Sequence, residues 1–123
     1  MILVDTSVWV DHLRLGDARL SALLENGEVC VHPFVVGELA CGTMRNRREV
    51  LELIANLPAA SVASDGEVMA FLKANDVMGR GIGWVDVHLL ASSALTTGVQ
   101  LWTRDRRLAV VASRLRVLYE QMR

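Results

Sequence analysis

The sequence predicts an α/β fold in which a short, mostly parallel central sheet is covered by helices on both faces. Two observations predict it. The runs Ile2-Leu3-Val4, Val29-Cys30-Val31 and Leu101-Trp102-Thr103 are short and continuously apolar, without the polar alternation of a half-exposed sheet. Stretches of helical periodicity separate them, and parallel neighbours need such crossovers. A chain of 123 residues, 52% hydrophobic, suits a single domain over residues 1–123. At that length folding buries roughly two-thirds of the unfolded surface, enough for a true core.

The elements follow in order. Residues 2–4 form the first strand. Thr6 or Ser7 then opens a helix carrying Val8, Trp9 and Leu13, which closes by Gly16. Asp17 caps a second helix with Leu20, Leu23 and Leu24 on one face, ended by Gly27. Val29-Cys30-Val31 is the second strand. Pro33 suits the first turn of a helix that runs to Gly42. Asn46 and Glu49 have capping-box spacing before Val50, Leu53, Ile54 and Leu57, and Pro58 stops that helix. Residues 60–63 form a third strand. Ser64 and Glu67 make a second capping-box pair, opening a helix with Val68, Phe71 and Leu72 that ends at Gly79. Gly81 and Gly83 lie in a loop, and Asp86 begins a helix that continues to Gly98. Leu101-Trp102-Thr103 is the fourth strand. Asp105 opens a helix with Leu108, Val111 and Leu115, despite the β-branched pair Val110-Val111. Residues 117–119 form a last short strand.

Four lone carboxylates stand where apolar stretches break. Asp5 ends the first strand, Glu38 sits inside an apolar helix, Asp86 interrupts Trp84-Val85 and Val87-His88, and Asp105 lies just past the fourth strand. A buried carboxylate is costly unless paired, hydrogen-bonded or bound to a cation. Asp86 and Asp105 could serve as helix caps alone, but Glu38 has no capping role. Ligands of parallel sheets collect at the carboxyl ends of the strands. Asp5 and Asp105 share that edge despite lying at opposite ends of the chain, and Glu38 and Asp86 can reach it. Like charges gathered there are best neutralised by a divalent metal. The hydroxyls of Ser7 and Thr103 stand beside the proposed cluster.

Other features narrow the classes. No apolar run approaches the ~20 residues that span a bilayer, and no basic leader precedes the first strand. Cys30 and Cys41 lack metal-ligand spacing and read as reduced thiols of a cytoplasmic protein. His12, His32 and His88 also lack ligand spacing and read as structural. Gly79-Arg80-Gly81-Ile82-Gly83 is not a phosphate-binding P-loop. Net charge is only −1, yet from Leu101 onward six arginines face two acids, and Arg45, Arg47 and Arg48 cluster separately. Local arginine patches of this kind bind polyanions or are solvated faces. Arg104, Arg106 and Arg107, flanking Asp105, are candidates for contact with a phosphate backbone.

Asp5-Thr6-Ser7 after an apolar first strand resembles the opening of PIN-domain ribonucleases. The helix carrying Glu38, the stretch Asp86-Val87-His88-Leu89-Leu90-Ala91-Ser92-Ser93-Ala94-Leu95 and the stretch Leu101-Trp102-Thr103-Arg104-Asp105-Arg106-Arg107-Leu108 match that family's later motifs in order. The resemblance spans nearly the whole chain, and its short length is similar to the VapC toxins of type II toxin–antitoxin pairs. It implies a three-layer α/β/α sandwich and an endoribonuclease dependent on Mg²⁺ or Mn²⁺. It also implies a homodimer, RNA as substrate, and a small antitoxin protein as partner. The family's four acids map to Asp5, Glu38, Asp86 and Asp105, and its late hydroxyl to Thr103. The alternatives are a non-catalytic acidic-pocket module, receiver-like or degenerate, and a metal-dependent phosphatase or DNA nuclease. A receiver needs a lysine beyond a late strand, whereas the only lysine here, Lys73, lies mid-helix.

Overall fold

A computed structural model describes residues 1–120. Arg123, one of the six arginines counted in the C-terminal segment, lies outside the described residues. The order of elements is β1 (Ile2–Val4), α1 (Thr6–Leu15), α2 (Ala18–Glu25), β2 (Val29–Cys30), α3 (Pro33–Cys41), α4 (Arg47–Ala55), α5 (Asp65–Ala74), α6 (Trp84–Leu95), β3 (Gln100–Trp102) and α7 (Arg106–Arg114). The sheet has the order β2-β1-β3 and both pairings are parallel. The architecture is the expected α/β sandwich. No described helix is long and apolar enough to cross a membrane.

The first strand is the centre of the molecule. Ile2 and Leu3 register with Val29 and Cys30 on one side, and Ile2, Leu3 and Val4 with Gln100, Leu101 and Trp102 on the other. Leu3, Val4 and Leu101 are fully buried, as strands covered on both faces require. Single parallel bridges widen the sheet, Val31 to Ala59 beyond β2 and Leu101 to Leu118 beyond β3. The helices close the core with Val8, Leu20, Val35, Val68, Leu89, Leu90 and Leu108, none of them exposed. α6 is the most deeply set helix, its residues Val87 to Ser93 all buried.

Several expected elements differ in detail. Residues 60–63 are not a strand. Pairing is confined to Val31 N–H to Pro58 O (2.9 Å) and Ala60 N–H to Val31 O (2.8 Å), after which Val62 turns outward at 54% exposure. Small alanines at 60 and 63 give the edge too little apolar surface to hold a longer ladder. Residues 117–119 likewise make one bridge rather than a strand. The Asn46–Glu49 capping box does not form. Asn46 takes a left-handed conformation (φ 51°) with no capping hydrogen bond, and Arg47 instead ties the carbonyls of Ala40 and Gly42 at the end of α3. The Ser64–Glu67 box forms with both hydrogen bonds, 3.1 and 2.9 Å. Helices α5 and α6 stop at Ala74 and Leu95, short of Gly79 and Gly98. Helix α6 also starts earlier, at Trp84, so Asp86 lies within its first turn.

Candidate active site at the carboxyl edge of the sheet

The parallel register builds the centre of this site. Val4 pairs with Trp102, so the next residues, Asp5 and Thr103, leave adjacent strands side by side. The Asp5 N–H donates to Trp102 O at 2.9 Å, extending the ladder by one bond. Thr103 Oγ1 donates to Asp5 Oδ2 at 2.7 Å and Ser7 Oγ donates to the same oxygen at 2.8 Å. Asp5 Oδ1 accepts the Thr6 N–H at 2.8 Å, which makes Asp5, rather than Thr6 or Ser7, the cap of α1. Asp5 is 6% exposed as a residue, and its carboxyl accepts three hydrogen bonds, the partners a buried polar group requires.

The other acids arrive on helices. Glu38, exposed on α3, accepts the Thr6 hydroxyl on Oε1 at 2.7 Å. Asp86, half-buried in the first turn of α6, accepts the Gly83 N–H on Oδ2 at 3.3 Å. Asp105 caps α7 by accepting the Leu108 N–H on Oδ1 at 3.0 Å, and its own N–H donates to Thr103 Oγ1 at 3.1 Å. Each of these three carboxylates therefore spends one oxygen on a local donor. The second oxygen of each has no hydrogen bond among the described residues.

The electrostatics link all four. Burial pushes the Asp86 carboxyl above its ordinary range, against the pull of the Gly83 N–H, and the charges of Asp5, Asp105 and Glu38 push it further the same way. A half-buried carboxyl raised by neighbouring like charges has those charges nearby. A PIN domain model matches residues 2–114.

This chain belongs to the PIN-domain family.

Two curated relatives carry the match across most of the chain. Ribonuclease VapC32 of Mycobacterium tuberculosis strain CDC 1551 / Oshkosh is 51% identical over 108 residues, 88% of this chain and 87% of the relative. The protein of the same name from strain ATCC 25618 / H37Rv gives the same figures. Within this PIN domain the hydroxyl partners fall outside the four-acid pattern. Thr6, which holds Glu38, carries no signal in the sequence except its place in Asp5-Thr6-Ser7. Ser7 bridges the two strand ends, donating to Asp5 and accepting the Arg104 N–H at 3.1 Å.

The three arginines beside Asp105 separate. Arg104 turns from the acids: Nη1 donates to Asp11 at 2.8 Å and Nη2 to Asp17 at 2.5 Å. Burial works to raise the Asp17 carboxyl, but the Leu20 N–H and Arg104 together hold it below its ordinary range. Arg106 is exposed and makes no hydrogen bond among the described residues, whereas Arg107 lies across the glycine loop. Arg104 thus clasps the β3–α7 turn to α1 and to the cap of α2. Arg104→Ala should cost roughly 1 kcal/mol of stability, the upper range for a partly exposed pair, read as a lowered urea midpoint. An unchanged midpoint would show that the clasp contributes nothing to the fold.

The histidines and cysteines stand apart from the acids. His32 caps α3, its Nδ1 accepting the Phe34 N–H at 3.0 Å. His88 is buried against Phe34 and Trp84, ring centroids 4.6 and 4.7 Å away. Cys30 is buried and Cys41 exposed, both as free thiols.

Proposed function

We propose that this chain is the toxin of a type II toxin–antitoxin pair, a metal-dependent endoribonuclease that hydrolyses RNA phosphodiester bonds at the acidic edge of the sheet. The observation that carries the site is geometric: Thr103 Oγ1 donates to Asp5 and accepts the Asp105 N–H, while Thr6, next to Asp5, holds Glu38. The ribonuclease name of its 51%-identical relatives supports the activity.

The donor set fits a hard cation. It is all carboxylate oxygen, the chemistry Mg²⁺ and Mn²⁺ take, and three of the acids keep one oxygen uncommitted. Among the described residues no three potential ligands converge closely enough to enclose an ion by themselves. Mg²⁺ usually keeps several waters beside one or two protein carboxylates, so ligation by the acids present would be completed by water. A cation held by Asp5, Glu38, Asp86 and Asp105 would offset phosphodiester charge and lower the pKa of bound water. The chain's own residues do the positioning. Thr103 and Ser7 fix the Asp5 carboxylate, Thr6 fixes Glu38, and the N–H groups of Gly83 and Leu108 orient Asp86 and Asp105. Thr103 reaches both Asp5 and the Asp105 N–H, so one hydroxyl couples two of the acids.

The antitoxin partner fits an apolar groove. A cavity of about 310 Å³ between α1, α2 and α4 is lined by Trp9, Leu13, Leu24, Ile54 and Leu57. Through Leu13 and Val50 it adjoins a larger cleft that reaches Glu38. A segment laid along it would reach Glu38. A cytoplasmic homodimer belongs to the same reading.

Purified protein should cut single-stranded RNA internally with Mg²⁺ or Mn²⁺ and stop when a chelator is added. Absence of cleavage with either ion across varied RNAs, or cleavage indifferent to chelator, would overturn the reading.

A further inference from the structure

We infer that Arg107, whose end lies over Gly81, is the residue that grips the RNA phosphate backbone at this site. The inference rests on the ribonuclease reading and narrows it to one contact.

Most arginines near the site are already committed. Arg104 is held by Asp11 and Asp17, Arg80 pairs with Asp76 at 3.3 Å, and Arg114 donates to the carbonyls of Asn75 and Asp76. Arg107 is exposed and has neither an ion pair nor a hydrogen bond among the described residues. It is nevertheless placed. A Cβ added to Gly81 would stand 2.8 Å from its Cδ and 2.9 Å from its Nη1. A side chain at 81 would have to displace the end of Arg107 from this position. Gly81 also has φ +76°, and Gly79 φ +72°, so the loop needs glycine for its own path.

Both anchors of the contact belong to the acidic edge. Arg107 follows Asp105 by two residues in the first turn of α7. The loop beneath it ends at Gly83, whose N–H holds Asp86. A cation in the first turn of a helix opposes the helix dipole, so this position is an unfavourable one for arginine unless an anion arrives there. The Arg107 Cδ, Nη1 and Cζ all lie close to Gly81 while the residue stays exposed, and a guanidinium fork can bind two phosphate oxygens at once. Stem packing against the loop also lowers the entropy lost when the phosphate binds.

The test measures binding of a fluorescein-labelled mixed-sequence single-stranded RNA over a range of salt concentrations. It uses the full chain carrying Asp5→Asn, so that cleavage does not interfere. Arg107→Ala should weaken binding about tenfold at low salt and flatten the plot of log affinity against log salt by about 0.7, one phosphate contact. Arg107→Lys should keep the slope but bind more weakly, since charge remains and the fork is lost. Gly81→Ala should reproduce part of the Arg107→Ala loss by displacing the side chain. Arg106→Ala should leave the slope within a few tenths of the parent's. An Arg107→Ala protein with unchanged affinity and slope would overturn the inference while leaving the ribonuclease reading intact. A parent that binds no RNA at any salt would overturn both the inference and that reading. If Gly81→Ala fails to fold by circular dichroism, the two Arg107 variants decide the matter alone.

Discussion

Asp5→Asn is expected to reduce metal-dependent RNA cleavage on the order of a thousandfold or more, the scale seen when one member of a cooperating catalytic unit is removed. The fold should survive. Asparagine is as good a helix cap as aspartate, so its Oδ1 can still accept the Thr6 N–H that Asp5 holds at 2.8 Å. The Nδ2 group would face the hydroxyls of Thr103 and Ser7, which now donate to Asp5. Hydroxyls rotate to accept as readily as they donate. What disappears is the charge at the centre of the cluster, and with it one of the three that press on Asp86. Cleavage rate and thermal midpoint, measured on the same preparation, separate the two effects. Full activity in a folded Asp5→Asn protein would refute the shared site. A collapse of the midpoint would mean that Asp5 serves chiefly as the α1 cap.

Acid should destabilise the protein through His32. This imidazole is completely buried, and burial, with the nearby His88 adding to it, lowers its pKa from 6.5 to about 4. Its Nδ1 accepts the Phe34 N–H and so must be unprotonated, while Nε2 has no partner among the described residues. The rings facing it are Phe34 and His88, at 5.0 and 6.1 Å. The nearest carboxylate in that cluster, Asp65, stands 3.1 Å from His88 Nε2. A histidine with a lowered folded pKa is protonated in the unfolded chain first. Stability is therefore full above pH 6.5, falls as pH drops from 6.5 towards 4, and levels off below. The whole window is worth about 3 kcal/mol. His32→Asn keeps a capping acceptor for Phe34 and removes the titration. Urea unfolding at several pH values across the window should show a shallower decline in the variant. Parallel declines would assign the acid sensitivity to the carboxylates.

The sites of the four acids were legible because each violated its surroundings. Glu38 interrupts an apolar helix and Asp5 ends an apolar strand, and such breaks need no coordinates to be seen. The order of the motifs carried the family assignment as well. Less legible were the interactions made by residues of ordinary composition. Thr6 looked like a helix-opening residue and proves to hold Glu38. Arg104 looked identical in kind to Arg106 and Arg107, yet only Arg104 lies within reach of Asp11 and Asp17, residues 93 and 87 positions away.

Sequence by itself determined the α/β class, the alternation of buried strands and helices, and the caps at Asp17 and Ser64, and it singled out the four acids as candidates. These depend on local periodicity and on single residues out of place, both of which are written along the chain. Tertiary structure alone decided which short apolar runs became strands. Residues 60–63 form no strand, the only bridge beside them among the described residues being Ala59 with Val31, and residues 117–119 make one bridge through Leu118, because a ladder grows only where a neighbour offers a second row of partners. It also decided the direction of each arginine. A side chain's partner is chosen by which elements the crossovers bring together, and Arg107 meets Gly81 only because α7 is packed beside the loop.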